Sequence, residues 1–221
     1  MTERSDKVVS RDLDDRTASI YEWLHVNSRL VSIAVGVVAV AAVGGWLYTR
    51  NQAGKELRAE QALVRAEQSL GQGNIPLAQT DLQKLVSTQS GTAGASQGAM
   101  LLAQTYYDKG EYQKGIDVLQ NSGAAHKEFE AGAEALIGDG YSQLGKYAEA
   151  ATHYRKAADA TRFTNDREGY LADAARNYMA GKDTAQARQL WQEVLKNESS
   201  VFASEARVRL GELTARPITK S

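Results

Sequence analysis

Cysteine is absent from the 221 residues, which removes disulfides, thiolate metal sites, a cysteine nucleophile and lipid attachment through sulfur. Proline is nearly absent too, with Pro76 and Pro217 the two examples. With so few breakers, and with Ala, Leu, Gln, Glu, Lys and Arg dominating, the composition favours helix over strand. A basic excess is also missing: 26 Lys and Arg stand against 27 Asp and Glu, and the balance holds from Asn51 onward. A duplex-binding surface needs clustered cations on one face, so nucleic acid is not expected as a partner. Histidine is scarce. His25, His126 and His153 are far apart and have no His or Cys partner at helical spacing, so no metal is expected and each reads as a solvated surface residue.

Motifs for catalysis are equally lacking. Gly145-Lys146 has neither the upstream glycine loop nor the following hydroxyl of a phosphate-binding loop, and Gly138-Asp139-Gly140 falls inside a helical pattern. Asp12, Asp14 and Asp15 form an acidic cluster without calcium-loop spacing. Asn197-Glu198-Ser199 fits a glycosylation triplet of a kind frequent by chance. No catalytic residue and no cofactor are expected, and the chain reads as non-enzymatic.

What is present begins with one long apolar run. Residues 30–48 read LVSIAVGVVAVAAVGGWLY without a charge; at about 1.5 Å per residue they span roughly the 30 Å hydrocarbon core of a bilayer. Arg29 and Arg50 bracket the run, and Tyr21, Trp23, Trp46 and Tyr48 supply rings of the kind that settle at headgroup level. A buried core helix is the first alternative, although apolarity on every face argues against it. A cleaved signal peptide is the second: Ala39-Val40-Ala41 offers a small-residue pattern, but inside the run, which is preceded by 29 residues. The reading is an uncleaved transmembrane anchor that gives the chain one contact with lipid. Basic residues flank both ends, so charge alone does not set its orientation. Gly36, Ala41, Gly44 and Gly45 leave a smooth surface on which another membrane helix could sit.

The remainder repeats. LIGDGYSQLGKYAEAATHYRKAAD places Gly138 and Tyr141 on one helix, Gly145 in a turn, and Ala150, Tyr154 and Ala157 on the next. Ala103, Tyr106, Gly110, Gly115 and Leu119 recur at matching offsets, as do Ala175, Tyr178, Ala187, Trp191 and Val194, although there the turn glycine, Gly181, sits one place early. A degenerate first copy offers Ala66, Ser69, Gly73, Ala78, Leu82 and Leu85. The small residues of the second helices fall at 78, 115, 150 and 187, giving periods of 37, 35 and 37. Small residues let antiparallel helices approach, the larger apolar residue four positions on fills the gap between units, and glycine permits the turn. Asn165 with Glu168 and Asp183 with Gln186 read as capping boxes, and Pro76 as a first-turn proline. A last segment is expected to bury Val201, Ala206, Val208 and Leu210 and to turn Glu205, Arg207, Arg209 and Glu212 to water as a closing cap.

On these residues, over about 55–196, the sequence resembles the tetratricopeptide repeat family. The expected fold is all-α: a single transmembrane helix followed by an α-solenoid of about four helix pairs and a C-terminal capping helix. The expected divisions are a polar tail with an interfacial segment (1–29), the membrane helix (30–49), the repeat domain (50–215) and a short tail (216–221). With no breaker beyond Gly54, the membrane helix is expected to run on into the first repeat helix. The resemblance also nominates a partner groove lined by first helices, with Met100, Gln104, Tyr107, Asp139, Gln143, Arg176 and Met179 facing it. Met and Tyr anchors there suit an apolar helix or extended peptide.

YEWLHVNSRL, the apolar run ending GGWLY and the basic helix before degenerate repeats are similar, as a layout, to YfgM-type ancillary subunits of the bacterial Sec translocon. That similarity implies an inner-membrane protein with its N-terminus cytoplasmic and its repeats periplasmic, whose partners are integral membrane subunits and envelope chaperones. A structural accessory subunit of another membrane complex, and a regulatory or assembly factor for an envelope enzyme, fit the same layout.

Overall fold

The computed structural model describes residues 26–122 and 126–214, and Tyr21, Trp23, His25, the Asp12, Asp14 and Asp15 cluster and Pro217 lie outside the described residues. Among the described residues there are nine α-helices and no strand: α1 Ser28–Gly71, α2 Ile75–Thr88, α3 Ala93–Tyr107, α4 Tyr112–Asn121, α5 Glu130–Gln143, α6 Tyr147–Ala160, α7 Thr164–Ala180, α8 Thr184–Val194 and α9 Ala203–Thr214. The chain divides into two compact units, Met1–Ala53 and Gly54–Ser221.

In the first unit the apolar half of α1 is long and apolar enough to cross a membrane, and none of its most apolar stretch is buried against protein. Leu30, Ile33, Val38, Val40 and Trp46 are all more than half exposed, which is the reverse of what a core helix requires. Polar atoms within the stretch are satisfied by the helix itself: Ser32 Oγ donates to the Ser28 carbonyl at 2.7 Å and Thr49 Oγ1 to the Trp46 carbonyl at 3.0 Å. The Arg50 guanidinium lies 5.2 Å from the centre of the Trp46 ring.

In the second unit the later turns of α1 become amphipathic. Ala59, Leu63 and Ala66 are buried at i, i+4, i+7 and share a core with Leu82, Leu85 and Leu102. From there the elements alternate as first and second helices of successive pairs: α1 shares its core with α2, α3 packs on α4, α5 on α6, α7 on α8, and α9 closes on α8. Each element packs mainly on its neighbours in sequence, and the first helices α3 and α5 also touch. The small residues that set the sequence period, Ala78, Gly115, Ala150 and Ala187, are all buried, and four positions on Leu82, Leu119, Tyr154 and Trp191 are buried as well. Among the described residues alanine makes up 17 of the 29 buried apolar residues, so helix backbones approach closely.

Four turns between the paired helices share one geometry. Gly73, Gly110 and Gly145 take φ of 75°, 74° and 71°, and each following amide reaches back to a carbonyl near the end of the first helix: Asn74 to Ser69, Glu111 to Tyr106, Lys146 to Tyr141. In the fourth turn Asp183 reaches back to Tyr178, and the positive φ, 63°, falls on Lys182. The glycine expected there, Gly181, is the C-cap at φ −76°; its backbone abuts the Tyr147 side chain.

Helix starts agree with sequence in part. Asn74 Oδ1 accepts from Leu77 N at 3.3 Å ahead of Pro76, and Asp183 Oδ1 accepts from Gln186 N at 3.1 Å. A cap not foreseen is Thr92, whose Oγ1 accepts from Ala95 N at 3.1 Å, while the Glu56 carboxylate receives Ala93 N from across the interface. The Asn165–Glu168 box is not formed: α7 begins at Thr164 behind Phe163, and Glu168 is buried, accepting from Asn197 Nδ2 at 2.7 Å. Burial of that face carries Glu168 away from the helix start. The cap helix differs too. Ala203 and Ala206 are buried in α9, whereas Val201 and Val208 are exposed and Glu205 turns inward to Arg176.

Candidate functional site

Four of the seven nominated groove residues line one cavity, and the other three are not part of its lining. Gln104, Tyr107, Asp139 and Gln143 line a single cavity of about 400 Å³ between α3, the α3–α4 turn, α5 and α6, together with Asp108, Tyr112, Ser142 and Tyr154. Met100 instead packs against Gly132 and the core of α3, α4 and α5. Met179 lies in the C-terminal core, where Trp191 Nε1 donates to its sulfur at 3.3 Å. Arg176 is already engaged: it donates to Asp173 at 2.5 Å, forks onto both Glu205 oxygens, and lies 5.9 Å from the ring centres of Trp191 and Phe202. The lining of this cavity is polar and aromatic, and neither Met100 nor Met179 is part of it.

Tyr107 is its wall because two glycines make room for it. A methyl group on Gly115 or on Gly140 would collide with the Tyr107 side chain, whose hydroxyl donates to the Leu136 carbonyl at 2.9 Å. Tyr107 also tilts against Tyr112, with ring centres 5.8 Å apart. Tyr154 of α6 lies over Gly138 and donates its hydroxyl to Asp139 Oδ1. Gly138 and Gly140 thus flank Asp139 on α5 because an aromatic ring presses on each.

The electrostatics follow from crowding. Burial, then the Asp139 charge, raises the Tyr107 phenol well above its ordinary range. Burial raises Tyr154 further, with the Asp139 hydrogen bond adding to it. Asp139 is exposed on one side, yet desolvation of its carboxyl pushes its pKa up, the Tyr154 hydrogen bond opposes this, and the Asp173 charge adds to it. Asp173 is likewise raised by desolvation, against the pull of Arg176. The lining contains no cation. Neighbouring cations are occupied elsewhere: Lys109 donates to Gln79 at 2.8 Å, Lys114 pairs with Glu111 at 2.8 Å, and Lys146 lies 5.5 Å from the Tyr141 ring centre.

Sequence reasoning missed two sets of contacts. His153 is not a solvated residue: its Nδ1 meets Glu134 Oε2 at 2.6 Å and its ring stacks on Tyr141 at 5.3 Å, joining α5 to α6. A glutamine five positions after the small residue also joins one pair to the next, Gln83 Nε2 donating to the Tyr106 hydroxyl at 2.8 Å and Gln120 Nε2 to that of Tyr141 at 3.2 Å. The in-phase recurrence of these glutamines was the available signal. His126 is exposed, as expected. Among the described residues no cluster of His, Cys, Asp and Glu is arranged to hold a metal. In α1, an added Cβ on Gly36, Gly44 or Gly45 would meet nothing within 4 Å, and Ala41 is exposed.

Stacked helix pairs with buried small residues, identical turns and polar pair-to-pair ties make this a helical-repeat protein, a class of scaffold that holds other proteins. The family model described as a tetratricopeptide repeat-like domain matches residues 21–123 and again 61–172, and the chain belongs to that family. Among solved structures it is similar to putative kinesin light chain repeats of Podosopora anserina at 17% identity, with a TM-score of 0.54, covering 71% of this chain and 84% of that one. It is also similar to pilF of Pseudomonas aeruginosa at 17% identity, with a TM-score of 0.52, covering 72% and 69% of the two chains. The Cut9–Hcn1 hetero-tetramer contains a chain similar at 21% identity, with a TM-score of 0.51 over 71% of this chain and 30% of that one. No curated protein matches the sequence.

Proposed function

We propose that the chain is a membrane-anchored interaction scaffold, an ancillary subunit of a bacterial inner-membrane complex of the Sec translocon type, with its repeats in the periplasm beside envelope chaperones. The observation that carries the anchored part is the apolar half of α1, exposed on all sides over a length that matches a bilayer core. A water-facing helix of that composition would be an aggregation site. The repeat array supplies the binding part, and the α3–α5–α6 cavity is its candidate contact point. The translocon assignment and the sidedness rest on the layout similarity of the N-terminal segment. A structural accessory role in another membrane complex and a regulatory role toward an envelope enzyme use the same anchor and array.

Purification of the full chain in mild detergent, with identification of what accompanies it, separates these readings. Stable recovery of translocon subunits is expected; stoichiometric recovery of a different complex supports the accessory role, and weak substoichiometric recovery of an enzyme supports the regulatory one. Sidedness is tested by Ser221→Cys, since the chain has no other thiol. An impermeant maleimide is expected to label it in cells stripped of outer membrane, and failure to label until the inner membrane is opened overturns the periplasmic placement.

A further inference from the structure

The α3–α5–α6 cavity has a chemistry that the scaffold reading does not use. Tyr107, Tyr112 and Tyr154 contribute to its lining beside Gln104, Ser142 and Gln143, and its charged groups are the Asp108 and Asp139 carboxylates. Of these carboxylates, Asp108 accepts from Gln104 at 3.0 Å and Asp139 from Tyr154, both neutral donors, so neither charge is balanced. Lysines on the adjoining turns are held away by Gln79, Glu111 and the Tyr141 ring. Ring faces attract a cation, and a carboxylate beside them supplies a charged acceptor. A volume of about 400 Å³ is in the range of small-ligand pockets, and it admits one long side chain but not the apolar face of a helix.

We propose that this cavity receives a single cationic side chain, lysine or arginine, presented by a partner protein. For the existence of a partner the inference rests on the scaffold reading above. Charge complementarity selects the occupant: acidic or purely apolar segments would leave both carboxylates unpaired against a desolvated wall. The Tyr107 and Tyr154 hydroxyls are committed to Leu136 and Asp139, so the rings are held in place before any partner arrives.

The test uses full-length protein in detergent and two arms. A fluorescein-labelled Gly-Arg-Gly-Arg-Gly peptide is titrated beside its citrulline counterpart, which keeps the shape and removes the charge. The arginine peptide is expected to bind at least about fivefold more tightly, a preference lost in Asp139→Asn and at high salt. Asp139→Asn retains an acceptor for Tyr154, and Gln143→Lys, on an exposed position, is a second variant that abolishes binding without touching the fold. Equal affinity for the two peptides, or an arginine preference that persists in both variants, overturns the proposal. In the second arm a photoreactive phenylalanine at Gln143 marks the natural partner in membranes. A crosslinked segment carrying Lys or Arg is expected, with yield falling about fivefold in Asp139→Asn; a cation-free segment overturns the proposal and leaves the scaffold reading intact. If the chain carrying the photoreactive group at Gln143 crosslinks to no protein and the wild-type chain purifies with none, the scaffold reading fails, while the peptide arm still decides what the cavity binds.

Discussion

Lys182 occupies the backbone conformation that Gly73, Gly110 and Gly145 occupy in the other turns. A side chain pays for left-handed geometry in steric crowding, whereas glycine does not. Lys182→Gly is therefore expected to stabilise the chain by about 1 kcal/mol, read as a higher midpoint in chemical unfolding; a lower midpoint contradicts the turn assignment. Gly115 is the opposite case, where room and not φ is at issue. Gly115→Ala is expected to cost roughly 1–3 kcal/mol by overpacking against Tyr107, and to shift the aromatic signals of Tyr107. Carboxyls of both signs of shift contribute to the pH dependence, Asp139 and Asp173 raised and Glu205 lowered. Asp139 has a raised folded-state pKa, so its contribution is present at low pH and is lost as pH rises through that value. Glu205 is lowered, chiefly by its hydrogen bond to Arg176, so its contribution is present above its unfolded pKa and is lost as pH falls. Glu205→Gln is expected to remove part of the acid-side loss in a stability-versus-pH series, and an unchanged acid limb would contradict the Arg176 assignment.

At the level of helices, Trp191 ties α8 to the C-terminal core and is fully buried. Trp191→Ala is expected to cost about 3–5 kcal/mol, measured by thermal or urea unfolding. The pairs themselves were legible from sequence because each small residue at 78, 115, 150 and 187 is buried for the same geometric reason. Boundaries set by backbone strain or by distant partners were less legible. Nothing local distinguishes Lys182 from Gly181 as the residue that turns, and Asn165 lost its capping role once Glu168 was drawn inward to Asn197. The candidate cavity was half legible. Gln104, Tyr107, Asp139 and Gln143 follow from the first-helix register, whereas Tyr112 and Tyr154 enter from second helices; at the same register Met100 and Met179 pack against the core, and Arg176 pairs with Asp173 and Glu205 at partly exposed positions. Register alone does not say which residues a neighbouring helix will cover.

For the molecule as a whole, the candidate membrane span and the candidate cavity fall in separate units of the chain. Alkaline carbonate extraction is expected to leave the full chain in the membrane pellet, and release into the supernatant would argue against the anchor. The alanine-rich interior of the repeat unit bears on how binding is felt elsewhere. Alanine has no side-chain torsion to exchange, so a core built largely from it cannot absorb a displacement by switching rotamers. A helix pushed at the cavity wall must move as a body, carrying its neighbours along. Occupancy of a few hundred cubic ångströms beside Tyr107 would then register as small, coherent backbone displacements across several pairs, which makes the array a lever more than a cushion.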